Sequence, residues 1–169
     1  CGLCAQHQQA ACCVLIEITQ RCNQQCPFCF AQAGQNNAAP DYTLAEMEEL
    51  LSFLRGQSGE SPFNIQLSGG EPTPHPHLPD IIRLCRSHGF TYVQVNTNGR
   101  RLAEEDGYAK SLRKAGLHTV FLQFDGTNDD IYTALRGQPL LATKQRAIQN
   151  SVAAGLGVVL VVTVVPGVN

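Results

Sequence analysis

Seven of this chain's eight cysteines fall within its first 29 residues: Cys1, Cys4, Cys12, Cys13, Cys22, Cys26 and Cys29. Crowding of that kind constrains the chain more than any other feature. A disulfide framework that staples a small secreted domain would spread its cysteines along the sequence. Here the remaining 140 residues carry only Cys85 and otherwise look like an ordinary α/β protein. The pattern describes a place where sulfur converges on a metal or cluster.

The most specific part is Cys22-Asn23-Gln24-Gln25-Cys26-Pro27-Phe28-Cys29, a C-x3-C-x2-C motif directly after the β-rich run Val14 to Thr19. Three thiolates so spaced can each hold one iron of a [4Fe–4S] cube. The fourth iron then lacks a protein ligand, whereas an electron-transfer ferredoxin normally supplies a fourth cysteine. A zinc site more often pairs one C-x2-4-C with a second pair or with histidines.

Beyond the motif the chain alternates strand and helix. Thr43 and Glu46 form a capping box, and Leu44, Met47, Leu50, Leu51 and Leu54 repeat at helical spacing as far as about Gln57. Phe63 to Ser68 reads as a strand ended by Gly69-Gly70, with a helix from about Pro79 to Gly89 in which Cys85 is a core residue. Strands are also expected over Tyr92 to Asn96, Thr119 to Phe124 and Val158 to Val164. Helices are expected over Ala103 to Ala115, Asp129 to Leu135 and Thr143 to Ala154. Five such repeats predict an α/β fold, a partial parallel (β/α) barrel, with polar or glycine turns on its ligand-bearing edge.

These turns carry a resemblance. Cys22, Cys26, Phe28 and Cys29 match the C-x3-C-x-Φ-C signature, Φ being aromatic, of the radical S-adenosylmethionine (SAM) family. Gly69-Gly70-Glu71-Pro72 resembles that family's GGE motif, which holds the SAM amino group, and Thr97-Asn98-Gly99 resembles its TNG turn. Gln123 and Asp125 stand where relatives place ribose contacts, and Thr163 to Asn169 is similar to the segment near the adenine and carboxylate. The resemblance implies a radical SAM core over residues 14–169, truncated at its C-terminus, and a preceding Cys-rich segment over 1–13. It implies a [4Fe–4S] cluster on Cys22, Cys26 and Cys29, with SAM bound near Phe28, Gly69, Gly70, Glu71, Asn98, Gln123, Asp125 and Thr163. It also implies reductive cleavage of SAM to methionine and a 5′-deoxyadenosyl radical that takes hydrogen from a substrate. The competing class is an electron-transfer or zinc-binding module that uses the same cysteines.

Cys1, Cys4, Cys12 and Cys13 resemble the N-terminal segment of a radical SAM subgroup that includes pterin methylases and tetraether lipid synthases. Molybdopterin-pathway cyclases are similar as well. The first comparison implies a second iron site with Cys1 and Cys4 as leading ligands, while His7 reads as a hydrogen-bonding bystander. The expected partners are a small-molecule or lipid substrate and a reductant such as ferredoxin or flavodoxin.

Composition narrows the remainder. A net charge of −2 and a pI near 6.2 offer no broad basic field for nucleic acid. The longest apolar stretch, Leu156 to Val165, is half a membrane span. The chain reads as cytoplasmic and as a piece of a longer protein, opening on Cys1 and marginal alone because of an open barrel edge. His75 and His77 read as parts of a proline-rich turn, and Arg100-Arg101 as a solvated patch. Gly155-Leu156-Gly157 precedes its strand and lacks a third glycine, which disfavours a dinucleotide site.

Overall fold

A computed structural model describes residues 11–29, 31–33, 39–58 and 62–169. Its elements run β1 (Cys13–Thr19), α1 (Leu44–Gln57), β2 (Asn64–Gly69), α2 (Leu78–Ser87), β3 (Val93–Thr97), α3 (Arg100–Glu104), α4 (Tyr108–Ala115), β4 (Thr119–Gln123), α5 (Asp129–Arg136), α6 (Leu141–Ala153) and β5 (Gly157–Val161). The five strands pair in sequence order, every pair parallel. Crossovers between parallel strands are right-handed. A sheet that always advances in one direction therefore carries its helices on one face. This is the curved wall of a partial (β/α) barrel, as the sequence predicts.

Strand alternation sorts the side chains. Ile16, Ile18, Ile65, Leu67, Val93, Val95, Val120 and Leu122 are buried beneath the helices, together with Met47, Leu51, Ile81, Ile82 and Leu112. The other face, which is the barrel lumen, carries Glu17, Gln66, Ser68, Gln94 and Asn96 on β1 to β3, then Phe121, Val159 and Val161 on β4 and β5. Cys85 is fully buried in the helix-side core, where desolvation pushes its thiol up to about 12. It is inert packing, as its sequence context suggests.

Local chemistry sets the boundaries. Thr43 and Glu46 make both capping-box hydrogen bonds at the start of α1. Asn128 caps α5 by accepting from Ile131 N–H, and Gly137 closes it in the left-handed conformation. The single helix expected over Ala103 to Ala115 is instead two. Glu105 turns to extended backbone and Gly107 adopts φ +79°, so the chain bends between α3 and α4. The last strand is shorter than expected. Its ladder to β4 ends at Gln123 and Val161, after which Thr163 turns toward the β4 end.

Candidate active site

β1 delivers the chain directly into the cysteine loop, which three neighbouring turns hold in place. Gly70 N–H donates to Thr19 O at 2.9 Å and Glu71 N–H to Arg21 O at 2.8 Å, stitching the turn after β2 to the loop's first residues. Asn98 Nδ2 donates to Asn23 Oδ1 at 2.7 Å, and Arg100 Nη1 to Asn23 O at 3.2 Å. Farther along the loop, Arg136 Nη1 donates to Phe28 O at 3.1 Å. Cys22, Cys26 and Cys29 thus sit on a segment braced at both ends, each partly buried. Burial raises the Cys22 thiol, with Glu71, Cys26 and Cys29 adding to the rise. Burial raises Cys26 too, and the Arg136 guanidinium opposes it most strongly.

Glu71 lies 1% exposed behind the loop. Its carboxylate accepts from Thr73 Oγ1 and Thr97 Oγ1 at 2.6 Å each, from Asn98 N–H at 2.7 Å and from Thr73 N–H at 3.1 Å. Desolvation raises its pKa, and these donors counter the rise. A carboxylate with four internal donors clamps the Thr97-Asn98-Gly99 turn to the Gly69-Gly70 turn. It does not face the cleft.

A second buried network joins the ends of β4 and β5. Arg136 grips Asp125 bidentately, Nε to Oδ2 at 2.7 Å and Nη2 to Oδ1 at 2.8 Å, with Asp125 2% exposed. Gln123 Nε2 and Thr163 N–H donate to the same carboxylate, and Arg136 Nη2 also donates to Thr163 Oγ1 at 3.0 Å. Lys144, fully buried, donates to Asn98 O at 2.5 Å and Gln123 Oε1 at 3.0 Å. Burial draws its pKa down to about 8. Two carboxylates and two cations therefore meet at the site, each hydrogen-bonded.

Between these networks opens a cleft of about 610 Å³. Of the residues expected at a SAM site, Phe28, Asn98, Gln123 and Thr163 line it, together with Cys26, Cys29 and Arg136. Gly69, Gly70, Glu71 and Asp125 lie behind its wall as supports. The Phe28 ring, 51% exposed, stands at the edge of the cleft. Arg136 and Lys144 escape a sequence reading: in sequence one is a last-turn arginine before a glycine and the other a lysine in a polar helix.

The crowded cysteines do not all meet. Cys12 and Cys13 stand at the opposite end of β1 from the cysteine loop, separated by a seven-residue strand, about 20 Å. Among the described residues, Cys13 Sγ accepts from the Gln94 amide at 3.7 Å. Cys1, Cys4 and His7 lie outside the described residues. Arg100 and Arg101 are more than a solvated patch. Arg100 reaches the cysteine loop, while Arg101 donates to Thr73 O and stacks over Tyr108 at 4.0 Å. His75 is 1% exposed and pins its turn through Nε2 to Tyr42 O at 3.1 Å.

The donor set suits a cluster. Among the described residues no three His, Cys, Asp or Glu side chains close on a single metal ion. Yet the three loop thiols lie near enough to perturb one another's charge. A cube takes one thiolate per iron, and this loop supplies three cysteines. The Radical SAM superfamily profile matches residues 16–169.

The chain belongs to the radical SAM superfamily.

It is 41% identical over 170 residues to the 7,8-dihydro-6-hydroxymethylpterin dimethyltransferase of Methanocaldococcus jannaschii, covering all of this chain and 33% of that protein. It is 30% identical to the probable GTP 3′,8-cyclase of Methanothermobacter thermautotrophicus, over 91% of this chain and 48% of the cyclase. The chain therefore spans a third to a half of the length of these relatives. Its fold matches methylornithine synthase at a TM-score of 0.73 with 17% identity, over 95% of this chain and 46% of that one. It also matches anSMEcpe with bound AdoMet at 0.72 with 20% identity, over 88% and 43%. Membership of the superfamily implies a [4Fe–4S] cluster and SAM as cofactors. No helix among the described residues is long and apolar enough to cross a membrane.

Proposed function

We propose that this chain is the catalytic core of a radical SAM enzyme acting on a small, polar, planar heterocycle. The carrying observation is the cleft that places Cys26 and Cys29 beside Phe28, Asn98, Gln123 and Thr163. Cys22, Cys26 and Cys29 would hold the cluster, and the cleft would hold SAM. Together these cofactors supply reductive cleavage of a carbon–sulfur bond and, from it, hydrogen abstraction. The chain's own residues bind and orient. Asn98, Gln123, Thr163 and Phe28 line the cleft. The Asp125–Arg136 and Glu71 networks fix those groups from behind, so little reorganisation accompanies binding.

The substrate class follows from the lumen. One side of it is mostly polar, with Glu17, Gln66, Ser68, Gln94 and Asn96 beside the exposed Leu15, and the facing strands offer Phe121, Val159 and Val161. A planar ring with donor-bearing edges satisfies both sides, and a pterin is the first probe given the methyltransferase relative. A lipid would leave the amides and Glu17 unpaired. Glu17 has no hydrogen-bond or ion-pair partner among the described residues, so Glu17→Gln is expected to weaken binding of 6-hydroxymethyl-7,8-dihydropterin about tenfold. Equal calorimetric affinity for both forms would remove Glu17 from the substrate site. A second iron site drawing on Cys12 and Cys13 would lie at the far end of β1 from the cleft. A cytoplasmic setting with a ferredoxin- or flavodoxin-type donor would keep the thiols reduced.

The decisive experiment is anaerobic reconstitution with iron and sulfide, then SAM and dithionite, with 5′-deoxyadenosine assayed beside a Cys26→Ala control. Product in the wild type and none in the control is expected. An intact [4Fe–4S] spectrum without product would sink the enzyme reading and favour an electron carrier.

A further inference from the structure

Gln24 stands between two of the three loop cysteines, and its side chain is buried, 5% exposed. Its backbone N–H points to Cys22 Sγ at 3.4 Å, and its Oε1 accepts from the Cys26 thiol at 3.5 Å. Its Nε2 has no hydrogen-bond partner among the described residues. A buried amide N–H left unpaired gives up its hydrogen bond to water without replacement. An apolar side chain of similar volume would fill the space without that cost. The position therefore holds a donor with no visible use.

The unpaired N–H shares its amide with the oxygen that lies 3.5 Å from Cys26 Sγ. A cysteine that binds iron is a thiolate and has no proton to give. Gln24 Oε1 would then face Sγ acceptor to acceptor, with the buried N–H still unsatisfied. The terminal torsion of glutamine is broad and roughly two-fold. Half a turn about it exchanges oxygen and nitrogen and aims N–H at the thiolate. That one movement gives the buried N–H a partner and each sulfur a donor.

We propose that Gln24 is a positioning residue that donates two hydrogen bonds to the cysteine sulfurs of the cluster, from its backbone to Cys22 and from its side-chain amide to Cys26, and so raises the cluster's reduction potential. The inference rests on the cluster assignment made above. The reduced cluster carries one more negative charge than the oxidised one, and donors aimed at sulfur stabilise that charge. Hydrogen bonds to the sulfurs are among the determinants of such potentials.

The test is an EPR-monitored redox titration of the reconstituted full-length protein, with iron and sulfide content measured for each variant. Gln24→Leu and Gln24→Met remove the N–H, and methionine keeps nearly the length of glutamine. At the wild-type midpoint, the ratio of reduced to oxidised cluster is expected to fall about tenfold in both, a downward shift of ~59 mV for a one-electron couple. Gln24→Glu, which replaces a donor by a negative charge, is expected to shift further. Midpoints equal to wild type at full cluster content would overturn the proposal. Loss of the cluster in both apolar variants would also overturn it, assigning Gln24 to the loop's structure instead. If only the leucine variant loses the cluster, the methionine midpoint decides. A wild type without a [4Fe–4S] signal would instead defeat the cluster assignment itself.

Discussion

Arg136→Leu is expected to destabilise the protein by about 3–5 kcal/mol, because it strands the buried carboxylate of Asp125. Asp125 would keep the Gln123 amide and the Thr163 N–H but lose two charge-assisted hydrogen bonds and its contacting cation. The same substitution frees Phe28 O and Thr163 Oγ1, which Arg136 holds from opposite sides of the cleft. Arg136→Lys is expected to restore only part of the loss, since an ammonium cannot reproduce the planar fork. Asp125→Asn combined with Arg136→Leu should be less harmful than Arg136→Leu alone, because no bare charge remains. Denaturant unfolding of the three variants checks this ordering. A loss below ~1 kcal/mol for Arg136→Leu would mean that the brace is not structural.

The sequence shows the part of this site that is local in sequence. Three cysteines within eight residues announce themselves, and so do a capping box and turns ending on Gly70 and Gly99. The brace does not, because its members are far apart: Arg136 meets Asp125 eleven residues away, Thr163 twenty-seven away and Phe28 one hundred and eight away. No periodicity joins such positions. Lys144 is hidden for another reason. Its neighbours Thr143, Gln145 and Arg146 suggest a solvated helix face, and only the packing of α6 against α3 and β4 buries it.

Glu71 has a structural use that its place after two glycines does not announce. A glutamate after two glycines invites a ligand role, but its oxygens are taken by Thr73, Thr97 and Asn98. The α3–α4 break is not legible in the sequence, because Ala103 to Ala115 contains a single glycine, Gly107, which alone does not predict a bend. The far placement of Cys12 and Cys13 follows from one intervening strand. Closeness in sequence across an extended segment becomes distance in space.

Gly69→Ala is expected to cost at least ~3 kcal/mol and to lower the unfolding midpoint by roughly 10 °C. Gly69 adopts φ +143°, a conformation L side chains rarely take, and a methyl there would overlap Thr19 O. Gly70 has no such backbone demand but is equally confined. Its Cβ would overlap Arg21 O and come within 2.7 Å of Gln20 O and 2.9 Å of Ala33 Cβ. The turn after β2 lies so close to the cysteine loop that only hydrogen fits between them. That closeness lets Gly70 and Glu71 N–H groups reach Thr19 and Arg21 carbonyls. Gly70→Ala is therefore expected to act mainly on the loop: a smaller fall in midpoint than Gly69→Ala, with a large fall in iron bound on reconstitution. Unfolding midpoints and iron content together separate the two effects. If Gly70→Ala bound iron as the wild type does, the glycine pair would be a requirement of the β2 turn alone. The cysteine loop would then owe its position to Asn98, Arg100 and Arg136.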